Sequence, residues 1–234
     1  DDLCAHCGGW RLREWGIGVQ SVYDELVRYF GRDGVFLFDR DSAGTHKKAT
    51  TIIDEYFSAA GAILLGTALA LPYLREPIQT SALVSMDSLL ATPTWRAQEE
   101  ALGTLLALCE HTQGRVLVQS RGEETELLRI ATDGNLASFH TEELTARERF
   151  NYPPQSVFIH LAWKGNGADA LSMEITKCFQ PFDIELYGAP EAENTLRYGL
   201  IRVPAAAWPQ DTLVDALRAM PPSVRVVINP DRII

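Results

Sequence analysis

The 234-residue chain contains no G-x-x-x-x-G-K-[ST] stretch, so it carries no phosphate-cradling P-loop of its own. It also lacks H-E-x-x-H, G-x-S-x-G and any paired-carboxylate motif, which leaves hydrolase readings without support. No apolar run reaches the roughly 18 residues that a membrane span needs. The longest, 59–74, is broken by Gly61, Gly66, Thr67 and Pro72. Cysteine is scarce, at four residues, and there is no Asn-X-Ser/Thr acceptor. A secreted disulfide framework is therefore not indicated, and a cytoplasmic location with no membrane association is the expectation. Positive charge is also short: 21 Lys and Arg stand against 31 Asp and Glu, a net charge of −10. Such a surface repels phosphate at long range, so any nucleic-acid contact must rest on a local patch. Internal repeats and low-complexity tracts are absent. The chain opens Asp1-Asp2-Leu3-Cys4, with neither Met nor an apolar leader, and the expectation is a piece of a longer protein.

What is present is the composition of a folded protein, 46% hydrophobic and 22% charged. Apolar residues at 19, 22, 23, 26, 27 and 30 make a helical stripe. Val35-Phe36-Leu37-Phe38 follows as a short buried strand. Helices are expected over 49–60 and 95–109, and strands over 62–65, 81–86 and 116–119. Strands alternating with helices predict an α/β fold whose sheet is mainly parallel. From 123 to 149 the chain is charged and helical, with a turn near Asp133-Gly134-Asn135, and it stops at Tyr152-Pro153-Pro154. Strands at 156–163, 184–187, 197–203 and 224–228, with helices at 168–179 and 212–220, predict a small sheet with helices on one face.

Four local signals carry chemistry. Cys4-Ala5-His6-Cys7-Gly8 has the spacing of half a zinc knuckle, in which Gly relieves crowding beside two thiolates. Tetrahedral zinc needs four ligands, so partners would have to lie elsewhere. A redox pair and two incidental thiols are the alternatives. Gly66-Thr67 closes a buried strand, where exposed amides suit phosphate, although a plain turn fits equally. His46-Lys47-Lys48 opens a helix, where cations oppose the macrodipole, yet a solvated face explains such a run too. Trp10 and Trp15, with Arg11 and Arg13 between them, could stack on bases or pack beneath the knuckle.

Taken in order, these pieces resemble the C-terminal portion of primosomal protein N′, the PriA replication-restart helicase family. The resemblance runs through Cys4-x-x-Cys7-Gly8, Gly16-Ile17-Gly18-Val19 and Tyr23-Asp24-Glu25-Leu26. It continues through Phe38-Asp39-Arg40-Asp41-Ser42, Ile63-Leu64-Leu65-Gly66-Thr67 and Ala82-Leu83-Val84-Ser85-Met86-Asp87. Tyr152-Pro153-Pro154, Leu186-Tyr187-Gly188 and Val224 to Asp231 complete it. The resemblance implies half of a zinc-knuckle insertion over 1–15, with Cys4 and Cys7 as ligands of a partial site. A RecA-like second helicase lobe over 16–121 follows. A helical connector spans 122–151, and an α/β domain resembling ribosomal protein S10 spans 152–234. Gly66, Thr67, Arg40, Lys47 and Lys48 become candidate nucleotide or DNA contacts. Implied partners are forked or single-stranded DNA and primosome or single-strand-binding proteins, with ATP used only by the intact family protein.

The departures are specific. The family's Gly-Thr-Gln-Met-x-x-Lys-Gly stands here as Gly66-Thr67-Ala68-Leu69-Ala70-Leu71-Pro72-Tyr73, without Lys-Gly. The Gln-x-x-Gly-Arg-x-Gly-Arg motif, whose arginines would stabilise charge during hydrolysis, is absent, and neither Arg96 nor Arg115 takes its place. The expectation is a part with no ATPase activity of its own that binds DNA in replication restart. The alternatives are a protein-docking module derived from a helicase lobe, or lobe two of a still-active 3′–5′ helicase.

Overall fold

The computed structural model describes residues 18–122, 125–164, 168–180, 182–188 and 196–232. Cys4, Cys7 and the Trp10–Trp15 stretch lie outside the described residues. The chain divides into two compact units: 1–92 with 97–133, and 93–96 with 134–234. No described helix is long and apolar enough to cross a membrane.

The first unit begins with α1 (Val19–Phe30), whose period-3.6 stripe lies against β1 (Val35–Phe38). Then come α2 (His46–Ser58), β2 (Ile63–Gly66), a short 3-10 helix (Ala68–Tyr73), β3 (Ile78–Leu83) and α3 (Met86–Leu90). α4 (Ala97–His111), β4 (Thr112–Val118) and α5 (Thr125–Asp133) complete it. β1 and β2 pair in parallel from Val35↔Ile63 to Phe38↔Gly66. α2 packs on one face of that pair, burying Phe38, Ala49 and Ile53, with Leu64 against them. β3 and β4 form a separate parallel pair, with Ala82↔Leu117 and Leu83↔Val118 in register. α4 buries Ala101, Leu102 and Leu105 and lies against both strands. On the other face Thr80, Ala82, Arg115 and Leu117 are exposed. The parallel strands are thus two pairs among the described residues, not the single layer expected from the sequence. The expected strand over 81–86 also ends early. Ser85 accepts from the Ser88 N–H and caps α3, so Met86 begins a helix.

The second unit starts with α6 (Leu136–Arg149), capped by Asn135, whose side chain accepts from the Ser138 N–H. β5 (Ser156–Trp163), α7 (Ala168–Cys178), β6 (Ile184–Tyr187), β7 (Arg197–Pro204), α8 (Asp211–Arg218) and β8 (Arg225–Ile228) follow. The sheet order is β6-β7-β5-β8 with every neighbouring pair antiparallel. With its two crossover helices this is the split β-α-β arrangement of ferredoxin-like folds. Alternation along β5 sends Val157, Ile159, Leu161 and Trp163 to one face, where Ile175 and Phe179, at and just past the end of α7, and Leu213 of α8 close the core.

Pro93–Arg96 belongs to this second unit. Trp95 donates its indole N–H to the Pro230 carbonyl at 3.1 Å, its ring meets Phe158 edge-on at 6.3 Å, and the Arg147 guanidinium lies over it at 4.7 Å. Arg147 also bonds Glu143 at 2.8 Å, with both side chains mostly buried.

Candidate functional site

The parallel pairing of β1 and β2 brings both carboxyl-terminal ends to one side, which places Arg40, Gly66 and Thr67 at that end. In open α/β structures this is where ligands bind, because loops there are free to vary. Thr67, just past β2, donates its N–H to the Phe38 carbonyl at the end of β1, at 3.3 Å. Gly66 is required by the close approach of the two strands. A Cβ there would stand 2.7 Å from the Phe38 carbonyl oxygen and 3.2 Å from the Ala70 Cβ.

Beyond β1 the chain turns on Asp39. One of its carboxylate oxygens accepts from the Ser42 N–H at 2.7 Å, the Ser42 hydroxyl at 2.7 Å and the Asp41 N–H at 3.1 Å. The Ser42 N–H is the main reason that the Asp39 carboxyl stays below its ordinary range. This turn leaves Arg40 exposed at the strand end. The chain then reaches Thr45, whose hydroxyl accepts from the Lys48 N–H at 3.3 Å and starts α2. Lys47 and Lys48 are exposed on its first turn. Arg40, Lys47, Lys48, Gly66 and Thr67 therefore share one end of the β1–β2 pair. None of the three cations forms an ion pair among the described residues, so their charge is available to a ligand. Their positions beside the helix N-terminus concentrate N–H dipoles and positive side chains in a chain that is otherwise acidic.

Sequence reasoning missed the ring that joins these loops. Tyr73, in the 3-10 helix after β2, packs 5.2 Å from Phe38 and 5.7 Å from His46 at the start of α2. The signal was the replacement of an expected Lys-Gly by Pro72-Tyr73. A rigid, aromatic pair there fits packing, not charge. The second strand pair ends differently. Asp87 accepts from the Arg121 N–H at 2.9 Å and the Ser120 hydroxyl at 3.3 Å, and the Arg121 contact chiefly lowers its pKa. That carboxylate staples a turn.

Two arginines weighed in the sequence are committed to other elements. Arg96 is committed to Asp231 at 2.8 Å in the second unit. Arg115 sits within β4, paired with Thr80. Where an arginine-rich loop was sought, α4 runs straight into β4, and Thr112 bonds both the Leu108 carbonyl and the Ser81 hydroxyl. Among the described residues no group of three or more His, Cys, Asp and Glu could hold a metal.

No family model matches the chain. Similarity searching of curated proteins does. A protein named replication restart protein PriA from Thermotoga maritima is 28% identical over 183 residues, 75% of this chain and 24% of that protein. The chain is related to PriA. The PriA of Synechocystis is 25% identical over 169 residues, covering 70% of this chain and 20% of its own length. That of Borreliella burgdorferi is 22% identical over 215 residues, covering 85% and 32%. The matched stretch is the C-terminal part of PriA, and the chain spans about a quarter of the length of these relatives. Both described units take part in so wide a match, since 85% of the chain cannot lie in either one alone.

Proposed function

We propose that this PriA-related chain acts in replication restart by binding forked or single-stranded DNA. The strand-end cluster Arg40, Lys47, Lys48, Gly66 and Thr67 is its phosphate contact. The observation that carries this reading is the convergence, at one end of a parallel pair, of three cations that form no ion pair among the described residues with the Gly66-Thr67 strand end, where the Thr67 N–H itself is held by the Phe38 carbonyl. The lysines stay there although the macrodipole disfavours them, which is expected of side chains kept for a ligand. On this reading the first unit corresponds to a RecA-like second helicase lobe. The second corresponds to a domain resembling ribosomal protein S10, and its split β-α-β topology supports that. The direct passage of α4 into β4, with no arginine loop, supports a chain that does not hydrolyse ATP by itself. Cys4 and Cys7 would supply half of a zinc site, and primosome or single-strand-binding proteins would be further partners in the cytoplasm.

The test is binding of a fluorescent fork with a free 3′ end. The variant Arg40→Ala/Lys47→Ala/Lys48→Ala should bind at least tenfold more weakly than the parent at low salt. Equal affinity would remove the cluster from the interface. A second reading, a protein-docking module, is favoured by one observation: Ala82 and Leu117 lie side by side and exposed on one face of β3–β4. The parent chain failing to bind the fork at any salt would favour it.

A further inference from the structure

We infer that the strand-end cluster takes an unpaired base beside its phosphates, and that His46 is the ring on which this base stacks. The inference rests on the DNA reading proposed above and narrows it to single-stranded DNA. Three rings run from the core of the first unit to its surface. Phe38, at the end of β1, is innermost and 1% exposed. Tyr73, half-buried in the 3-10 helix after β2, lies 5.2 Å from it at an interplanar angle of 51°. His46, exposed at the first position of α2, lies 5.7 Å from Tyr73 at 40°. Both separations fall where ring pairs attract one another. The backbone of His46 is fixed as well, since the Thr50 hydroxyl donates to its carbonyl at 3.0 Å. The imidazole is thus backed by a ring that is itself anchored in the core, and it remains open to solvent. A stacking platform needs both properties, because a ring that must first be ordered gives back part of the stacking energy.

The neighbours of His46 supply the rest. Lys47 and Lys48 follow it directly on the first turn of α2, and Arg40 comes from the turn after β1. Cations beside a π face match the two parts of a nucleotide, its phosphate and its base. In a duplex each base is covered on both faces by its neighbours and paired at its edge. A single strand can turn a base outward onto a ring. Every base has a π face, so the platform discriminates unpaired from paired bases and not one sequence from another.

The probe is fluorescein-labelled oligothymidylate of about twelve nucleotides, with an abasic oligomer of equal length and equal phosphate count as its control. At low salt the full chain should bind the first at least about fivefold more tightly than the second. His46→Ala should erase that preference, and His46→Phe, which keeps a ring without the imidazole nitrogens, should restore it. Tyr73→Leu keeps apolar bulk against Phe38 and removes the ring behind His46. It should lower the preference severalfold, whereas damage to the fold would weaken both oligomers alike. Equal binding of the two oligomers by the parent would overturn the inference and leave the phosphate cluster standing. His46→Phe behaving as His46→Ala would show a role for the imidazole other than stacking and would overturn it too. The same would follow if His46→Ala weakened a blunt duplex by as large a factor as oligothymidylate, since paired bases cannot stack there. Binding of neither oligomer would instead remove the phosphate contact itself, and this inference with it.

Discussion

Substituting Gly66 by Ala tests whether the β1–β2 end is built on close strand approach. The added methyl would stand 2.7 Å from the Phe38 carbonyl oxygen and 3.3 Å from the Phe38 Cβ. Carbon and carbonyl oxygen ordinarily meet at about 3.3 Å or more, so the strands must part by roughly 0.5 Å. Both obstructing groups belong to the β1 backbone or its root, and neither is a flexible side-chain end. Overpacking of this kind costs about 1–3 kcal/mol. The loss of glycine's unfolded-state freedom returns about 0.5–1 kcal/mol; because a backbone carbonyl is the obstructing group, the overpacking cost falls in the middle to upper part of its range and leaves a net cost of about 1–2 kcal/mol. At about 2–4 °C per kcal/mol for a chain of this size, the unfolding midpoint should fall by roughly 2–8 °C. Differential scanning calorimetry reads it. Gly103→Ala is the control: Gly103 is exposed in α4 with nothing within 4 Å of a new Cβ. It should stabilise by about 0.5–1 kcal/mol. If Gly66→Ala were as stable as the parent while Gly103→Ala behaved as expected, the close-approach argument would be wrong.

Other outcomes follow from the same geometry. Asp39→Asn should flatten the acid limb of the stability curve. The native carboxyl titrates below its ordinary value of 3.8, so its contribution is full above that value and is lost as pH falls through the lower native one. Urea titrations at pH 7 and pH 3 check it, and an unchanged pH dependence would contradict it. Arg147→Lys keeps the charge but loses the flat stack on Trp95, and should cost about 1 kcal/mol in urea unfolding. The purified chain should show no DNA-stimulated ATP hydrolysis; turnover abolished by Thr67→Ala would refute that. It should also hold zinc weakly, since Cys4 and Cys7 supply two of four ligands, and stoichiometric zinc surviving a mild chelator would be the contrary result.

Periodicity alone located α1, β5 and β6 residue for residue, because each is a clean stripe or alternation bounded by Gly, Pro or a charged turn. Gly66-Thr67 stood out because it closes a buried apolar run and Arg40 through the family resemblance, and the parallel pairing puts both strand ends on one side. Long-range choices were not legible. Nothing local in Val35–Phe38 or Ser81–Leu83 tells whether their pairs merge into one sheet, and nothing in Trp95-Arg96 shows that it packs with Pro230 and Asp231, 135 residues on. The ring contacts of Tyr73 with Phe38 and His46 are likewise set by how a 3-10 turn folds back, which carries no period.

The most direct test of the DNA-binding account is the salt dependence of fork affinity for the parent chain and for Arg40→Ala/Lys47→Ala/Lys48→Ala. Each phosphate contact contributes about 0.7–0.9 to the slope of log affinity against log salt. The account predicts a steep negative slope for the parent, shallower by about 2–3 in the triple variant. Parallel slopes, or no binding by the parent at low salt, would contradict it.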